Sequence, residues 1–255
     1  MNKLISFDLH ADMGFFKKPD INDKIFLTYN MLHKPALLGI LGAIIGLSGY
    51  KEKDIFPEYY NILKELPVGI EPLNHENGNF QKTTIKYNNG VGYASGEDGG
   101  NLIINEQTLI KPSYRVYLLL NPEYEYHSKI FTYIREGNAE FLPYLGKNDY
   151  STWWSKNNVM QYDYKIFECS NDFSISSIYY KQNPLKSEKV KPIISFKNRV
   201  VFKGFSYFES LPIGFHEGLF QYILADFVFT NWTLSKESSI PSLYSLNNEK
   251  IIQLF

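Results

Sequence analysis

The feature that most constrains this chain is a row of glycines within its most apolar stretch. Gly39, Gly42, Gly46 and Gly49 recur at spacings of three and four, with Ile40, Ala43, Ile44 and Leu47 forming an apolar stripe beside them. That periodicity is helical. Pro35 suits a first helical position and Gly49 the position just past an end, so the pattern predicts a helix over 35–49. Each interior glycine costs about 1 kcal/mol relative to alanine, so three cost about 3 kcal/mol. Something must therefore approach that backbone closely, and a packed sheet is the expected neighbour. The apolar run 36–47 is too short to cross a bilayer, which takes about 20 residues.

The flanking pattern supplies the rest of an architecture. Leu4, Ser6, Asp8 and His10 alternate with Ile5, Phe7 and Leu9, which predicts a half-buried strand over 3–10. Between about 67 and 108 the chain turns polar, with Asn88-Asn89-Gly90 and Asp98-Gly99-Gly100 as turn signals, and reads as a projecting hairpin. A strand is expected over 114–120, and a short helix over 127–135, stopped by Gly137. Beyond Tyr150 the candidate strands are 162–167, 175–180, 190–196 and 200–208. Strand, helix, hairpin, strand, helix and further strands is the order of a ferredoxin-like, RNA-recognition-type α+β sandwich.

The 255 residues suffice for one large domain or a domain with a sizeable appendage, and 44% hydrophobic against 21% charged residues favours a packed core over disorder. The 20 tyrosines and 19 phenylalanines suit both β-structure and stacking surfaces. A formal net charge of −1 counts against a free-standing nucleic-acid binder, because phosphate neutralisation supplies most of such affinity. It counts less against a subunit that shares its RNA with neighbours. Over 181–203 seven basic residues, from Lys181 to Lys203, face Glu188 alone, and this run is read as a solvated face. The single cysteine, Cys169, cannot form an intramolecular disulfide and is read as a packed thiol in a reducing cytoplasm. Asp8 and Asp12 interrupt any signal-peptide pattern, so a soluble, cytoplasmic protein without membrane contact is expected.

Nothing specifies an active site. The five histidines are scattered without metal-ligand spacing, no G-x-S-x-G elbow occurs, and Gly90 to Gly100 lacks the G-K-[ST] ending of a phosphate loop. No catalytic residue, metal or cofactor is therefore expected. Two features point instead to RNA. His33 and Lys34 precede the backbone N–H groups of Ala36 to Leu38, and helix N-termini attract anions. The loop Phe15-Phe16-Lys17-Lys18 combines rings with cations, the chemistry of single-stranded RNA recognition. The plainer alternatives are an exposed lysine at 34 and an aromatic hinge anchoring the loop.

The order of these motifs resembles the CRISPR-associated protein five family, the RAMP-type subunits of type I Cascade. The resemblance rests on F-D-L-H-A-D-M-G-F-F-K-K-P from Phe7 and T-Y-N-M-L-H-K-P-A-L-L-G-I-L-G-A-I-I-G-L from Thr28. It continues in P-S-Y-R-V-Y-L-L-L from Pro112, F-L-P-Y-L-G-K-N from Phe141 and E-S-L-P-I-G from Glu209. It runs with gaps along essentially the whole chain, and the L-P-I-G and F-V-F-T-N segments look closest to type I-B members. It implies a ferredoxin-like domain over 1–150 with a β-hairpin thumb at about 67–108, and a β-rich C-terminal region over 151–255. It also implies a non-catalytic subunit that binds the 5′ handle of crRNA, contacts the backbone and large subunits, and meets target DNA only through the complex. The RNA-contact set implied here is Phe15, Phe16, Lys17, Lys18, His33, Lys34, Lys82, Lys86, Arg115 and Lys147. The sequence departs from the commoner family pattern where lysine rather than arginine follows Phe16 and alanine rather than Ser or Thr follows Pro35. The alternative is a metal-independent endoribonuclease that cuts repeat RNA, with His33, Tyr29 and Lys34 near the helix start. The tyrosine and lysine–histidine constellation of the cleaving branch is not recognisable in the sequence.

Overall fold

The computed structural model describes residues 2–19, 25–89, 102–180, 204–247 and 249–255. The turn signals at Asn89-Gly90 and Asp98-Gly100, the basic run 181–203, the expected strand 190–196 and the start of 200–208 lie outside or at the edge of that set.

Strand β1 (Lys3–Ala11) sits inside an antiparallel sheet. The helices α1 (Lys34–Ile45) and α2 (Glu58–Leu63) follow it, then strand β2 (Val68–Pro72). Strands β3 (Lys82–Asn89) and β4 (Leu102–Ile110) come next, then β5 (Ser113–Leu120) and helix α3 (Glu125–Glu136). β5 pairs with β1 on one side, Leu4 opposite Leu119 and Asp8 opposite Arg115, and with β2 on the other, Ile70 opposite Val116. Thr152–Trp153 and Met160–Tyr162 close the far side of β1. This edge lies past the division at 150 expected from the sequence. One core also holds Ile5 and Phe7 together with Tyr180, Leu211, Ile213 and Phe227.

The alternation in β1 is real, but the expected half-burial is not observed. Ile5, Phe7 and Leu9 face Leu41, Ile44, Ile130 and Ile134 of α1 and α3. The other face is covered as well: Leu4 packs with Tyr117, Tyr162, Ile252 and Leu254. Its polar row is satisfied rather than solvated. Ser6 Oγ shares a 2.9 Å hydrogen bond with the Tyr162 hydroxyl, and Asp8 accepts two from Arg115.

Helix α1 is apolar on nearly all sides because nearly all sides are covered. It ends earlier than 49, at Gly46, whose φ of +82° is a left-handed cap that a side chain would strain. The close neighbour of the glycine face is a helix rather than the expected sheet. A methyl group on Gly42 would collide with Cβ of Tyr59 from α2. Gly49 lies beyond the helix with nothing near it.

The polar segment contains a hairpin, but its first part belongs to the core sheet, as β2. The hairpin itself is β3 against β4, in register from Lys82 opposite Leu109 to Asn89 opposite Leu102. Met13–Gly14 and Ile25–Phe26 also pair with β4, so the loop after β1 is fastened to the hairpin's base. Strands β6 (Ser206–Phe215) and β7 (Tyr222–Thr230) form a long second hairpin with Tyr179–Tyr180 on its edge. A small sheet of Tyr164–Ile166, Leu243–Leu246 and Ile251–Gln253 completes the fold. The expected strand 162–167 is therefore split between two sheets, and 175–180 contributes only its last two residues. Gln253 locks the tail down: its buried side chain accepts from the Tyr180 N–H and donates to the carbonyls of Tyr180 and Pro241.

Candidate nucleic-acid interface

A groove of about 760 Å³ opens along the start and glycine face of α1. The loop after β1 forms one wall through Phe15, Phe16 and Lys17, and the segment of Phe141, Leu142 and Tyr144 forms another. Tyr59 of α2 and Phe215 and Tyr222 of the β6–β7 hairpin complete it. Several of its apolar side chains stand out in solvent: Tyr50 is 61% exposed, Phe141 57%, Leu142 71% and Tyr144 45%. Large exposed apolar patches of this kind mark binding surfaces. Lys17 and Lys51 are the cations on the groove.

His33 caps α1. Its Nδ1 accepts the Ala36 N–H at 3.3 Å and its carbonyl accepts the Leu37 N–H at 3.0 Å. The N–H groups expected to be free at this helix start are thus already used at Ala36 and Leu37. The ring is buried, 4% exposed, with Phe16, Tyr29 and Tyr222 edge-on at centroid distances of 5.6, 5.3 and 5.6 Å. Desolvation pushes its pKa down from 6.5 to about 3, so the imidazole is neutral at ordinary pH. A phosphate clamp built on a charged His33 is not what this geometry provides.

Of the ten residues marked for RNA contact, the groove gathers four: Phe15, Phe16, Lys17 and His33. Phe15 and Phe16 are 7% and 2% exposed, so they anchor the loop to the core rather than offering free ring faces. Lys17 is exposed, its Nζ 3.8 Å from the Phe26 ring centroid. Lys34 is not a surface cation. It is 8% exposed, donates to the Phe255 main-chain oxygen at 3.0 Å, and burial lowers its pKa to about 8.

The remaining five lie elsewhere. Lys18 pairs with Glu209 at 3.3 Å, and the same carboxylate accepts the N–H groups of Asn30 and Met31. Lys82 donates to Asn30 Oδ1 at 2.9 Å, while Lys86 is exposed on β3 opposite Asn105. Arg115 makes a two-pronged pair with Asp8 at 2.7 and 2.8 Å, which raises its pKa further. Lys147 sits between Glu106, at 3.1 Å, and the Tyr87 ring, 3.9 Å from its centroid. Sequence reasoning missed Tyr50, Tyr59, Tyr222 and Lys51. Phe141, Leu142 and Tyr144 belong to the F-L-P-Y-L-G motif, whose large apolar residues beside Pro143 and Gly146 were the available signal of an open surface.

Among the described residues no cluster of three His, Cys, Asp or Glu could hold a metal, and no helix is long and apolar enough to cross a membrane. Cys169 is partly buried, and desolvation raises its pKa.

No family model and no curated protein matches the sequence. Solved structures do match the fold. A CRISPR protein from Archaeoglobus fulgidus superposes with a TM-score of 0.51 at 12% identity, over 98% of this chain and 97% of its own. A chain of a CRISPR RNA-guided surveillance complex superposes with a TM-score of 0.50 at 13% identity, over 92% of this chain and 91% of its own. The fold, taken over the whole chain, is one found in CRISPR-associated proteins.

Proposed function

We propose that this chain is a non-catalytic subunit of a type I CRISPR surveillance complex, of type I-B character, that binds and caps the 5′ handle of crRNA. The observation that carries the reading is the whole-chain likeness to a component of an RNA-guided surveillance complex. The order β1, α1, β2, β5, α3 and Met160–Tyr162, with the last strand beside β1 and β5 between β1 and β2, supports the ferredoxin-like assignment. The β3–β4 hairpin takes the part of the thumb. Backbone and large subunits are the expected protein partners, and target DNA is met only through the complex.

The non-cleaving reading is supported by the occupation of the would-be catalytic groups. General acid–base work requires groups able to exchange protons near neutral pH. His33 spends Nδ1 on Ala36 and is held neutral; Lys34 has a pKa of about 8, but it is buried and its ammonium donates to the Phe255 main-chain oxygen. Two experiments test the proposal. Co-expression with a full set of Cascade subunits and a CRISPR array should yield a complex containing this chain and crRNA with an intact 5′ handle. Omitting the chain should leave that handle exposed to 5′ exonuclease. Purified protein should leave repeat RNA uncut, and cleavage lost on His33→Ala would overturn the non-catalytic assignment.

A further inference from the structure

The imidazole of His33 is a built donor without an acceptor. Because Nδ1 accepts a backbone N–H, the ring proton must sit on Nε2. Among the described residues Nε2 has no hydrogen-bond partner, although the residue is 96% buried by its 4% exposure and lines the groove. Nor is this atom sealed off: among the described residues the one fully enclosed side-chain polar atom lacking a partner is the hydroxyl of Tyr179. Water in the open groove can pair such a donor, and a ligand that displaces this water must bring an acceptor of its own.

The surroundings say what kind. The floor beside His33 is the apolar start of α1, Pro35, Ala36 and Gly39, and the walls are the rings of Tyr59, Tyr144 and Tyr222. A phosphate placed there would be stripped of water against apolar groups and a neutral imidazole, which is unfavourable. A flat neutral group with faces that stack and an acceptor on its edge suits both walls and donor. The cations on the groove, Lys17 and Lys51, suit the charged part of the same ligand.

We propose that this groove takes one unpaired nucleobase of the bound RNA, its edge acceptor receiving the His33 Nε2 hydrogen bond and its sugar–phosphate lying toward Lys17 and Lys51. The inference rests on the RNA-binding function proposed above and adds to it a base subsite and a direction of readout. Bases are held here by an acceptor edge, because the fixed tautomer offers only a donor.

The test uses the full chain and single-stranded RNA octamers carrying 2-aminopurine, or an abasic nucleotide, at each position in turn. Quenching of 2-aminopurine should be concentrated at one position, and the abasic change there should weaken binding about tenfold, the scale of one lost stacking contact. His33→Ser keeps an oxygen for the Ala36 N–H but removes ring and donor, and should flatten that positional effect while leaving the salt dependence unchanged. The wild-type scan stands even if this variant folds poorly. Binding of the octamers with a flat scan overturns the base subsite alone. Failure to bind any octamer at low salt overturns the RNA-binding function and the subsite with it.

Discussion

At the base of the β3–β4 hairpin, Lys18, Lys82 and Lys147 each have an acceptor within the protein: Glu209, Asn30 and Glu106. In the groove at the start of α1, the buried polar group keeps a donor unmatched while rings and apolar surface stand open. The first region uses charge to fasten the loop after β1 to the hairpin and to the C-terminal strand β6. The second leaves apolar surface and one oriented N–H on an open groove. Cation-rich sequence near a fold junction is thus evidence for internal pairing as much as for phosphate binding, and the aromatic loop residues were the better guide to the open surface.

The contrast can be broken most severely at the wall of the groove. Gly42→Leu drives a side chain into Tyr59 and should cost about 3 kcal/mol or more, read as lost soluble protein or a lower urea midpoint. Tyr59→Ala should not rescue it, since the collision is with Cβ. A soluble Gly42→Leu protein with an unchanged midpoint would show that α1 and α2 do not press together there.

At the hairpin base, Glu209→Ala should cost about 3 kcal/mol. It orphans the N–H groups of Asn30 and Met31 and leaves Lys18 without its partner. Glu209→Gln should cost less. If pairing is what keeps Lys18 from RNA, the Ala variant should bind RNA more tightly per folded molecule in filter binding. Weaker binding would mean that the carboxylate is not holding that lysine back.

Acid sharpens the comparison at His33. The folded chain resists protonating this ring until about pH 3, whereas the unfolded chain takes the proton near 6.5. Protons therefore bind the unfolded state preferentially between those values, and stability falls as pH drops through 6.5. His33 should contribute a loss of about 2 kcal/mol between pH 8 and pH 5; His33→Ser should remove that part and leave the shallower limb of His75 and His127, whose pKa values burial also lowers. Lys34, beside it in sequence, has its pKa lowered from 10.5 to about 8, so its buried charge is relieved only as pH rises above 8. It leaves the acid limb alone. Equilibrium urea unfolding across that pH range, on wild type and variant, checks both statements; an acid limb undiminished in His33→Ser would assign it to other groups.

The smallest effect concerns phosphate contacts. Lys17→Glu should lower the slope of log affinity against log salt by about one unit, and Lys147→Ala by much less, because Lys147 is held by Glu106. Should Lys147→Ala be the variant that flattens the slope, the hairpin base is the phosphate-binding surface after all.

Local pattern made several elements readable. The period of two in β1, the proline-to-glycine frame of α1, the β-prone run at β5 and the stop at Gly137 are each written within about a dozen residues. The hairpin of β3 and β4 was readable from composition, but its lower boundary was not, because β2 has the same polar surroundings and only its pairing with β5 places it in the core. The longest hairpin, β6 with β7, went unread beyond Phe208. The run Leu211-Pro212-Ile213-Gly214 looks like a turn, and the strand survives it through an irregularity between Pro212 and Gly214.

By itself, then, the sequence determined that β1, α1, β5 and α3 would form, that α1 had to be approached closely along its glycines, and that rings and cations cluster after β1. Periodicity and composition report which side chains want burial, and those quantities are local. Only the tertiary structure decided that Tyr59 fills the glycine face, that Lys34 ends on Phe255 from 221 residues away, and that Arg115 is spent on Asp8. It also decided that His33 turns one nitrogen to its own helix, so that the proton sits on the other. Whether a polar group is paired depends on atoms brought together from distant parts of the chain, and no spacing within a motif encodes that.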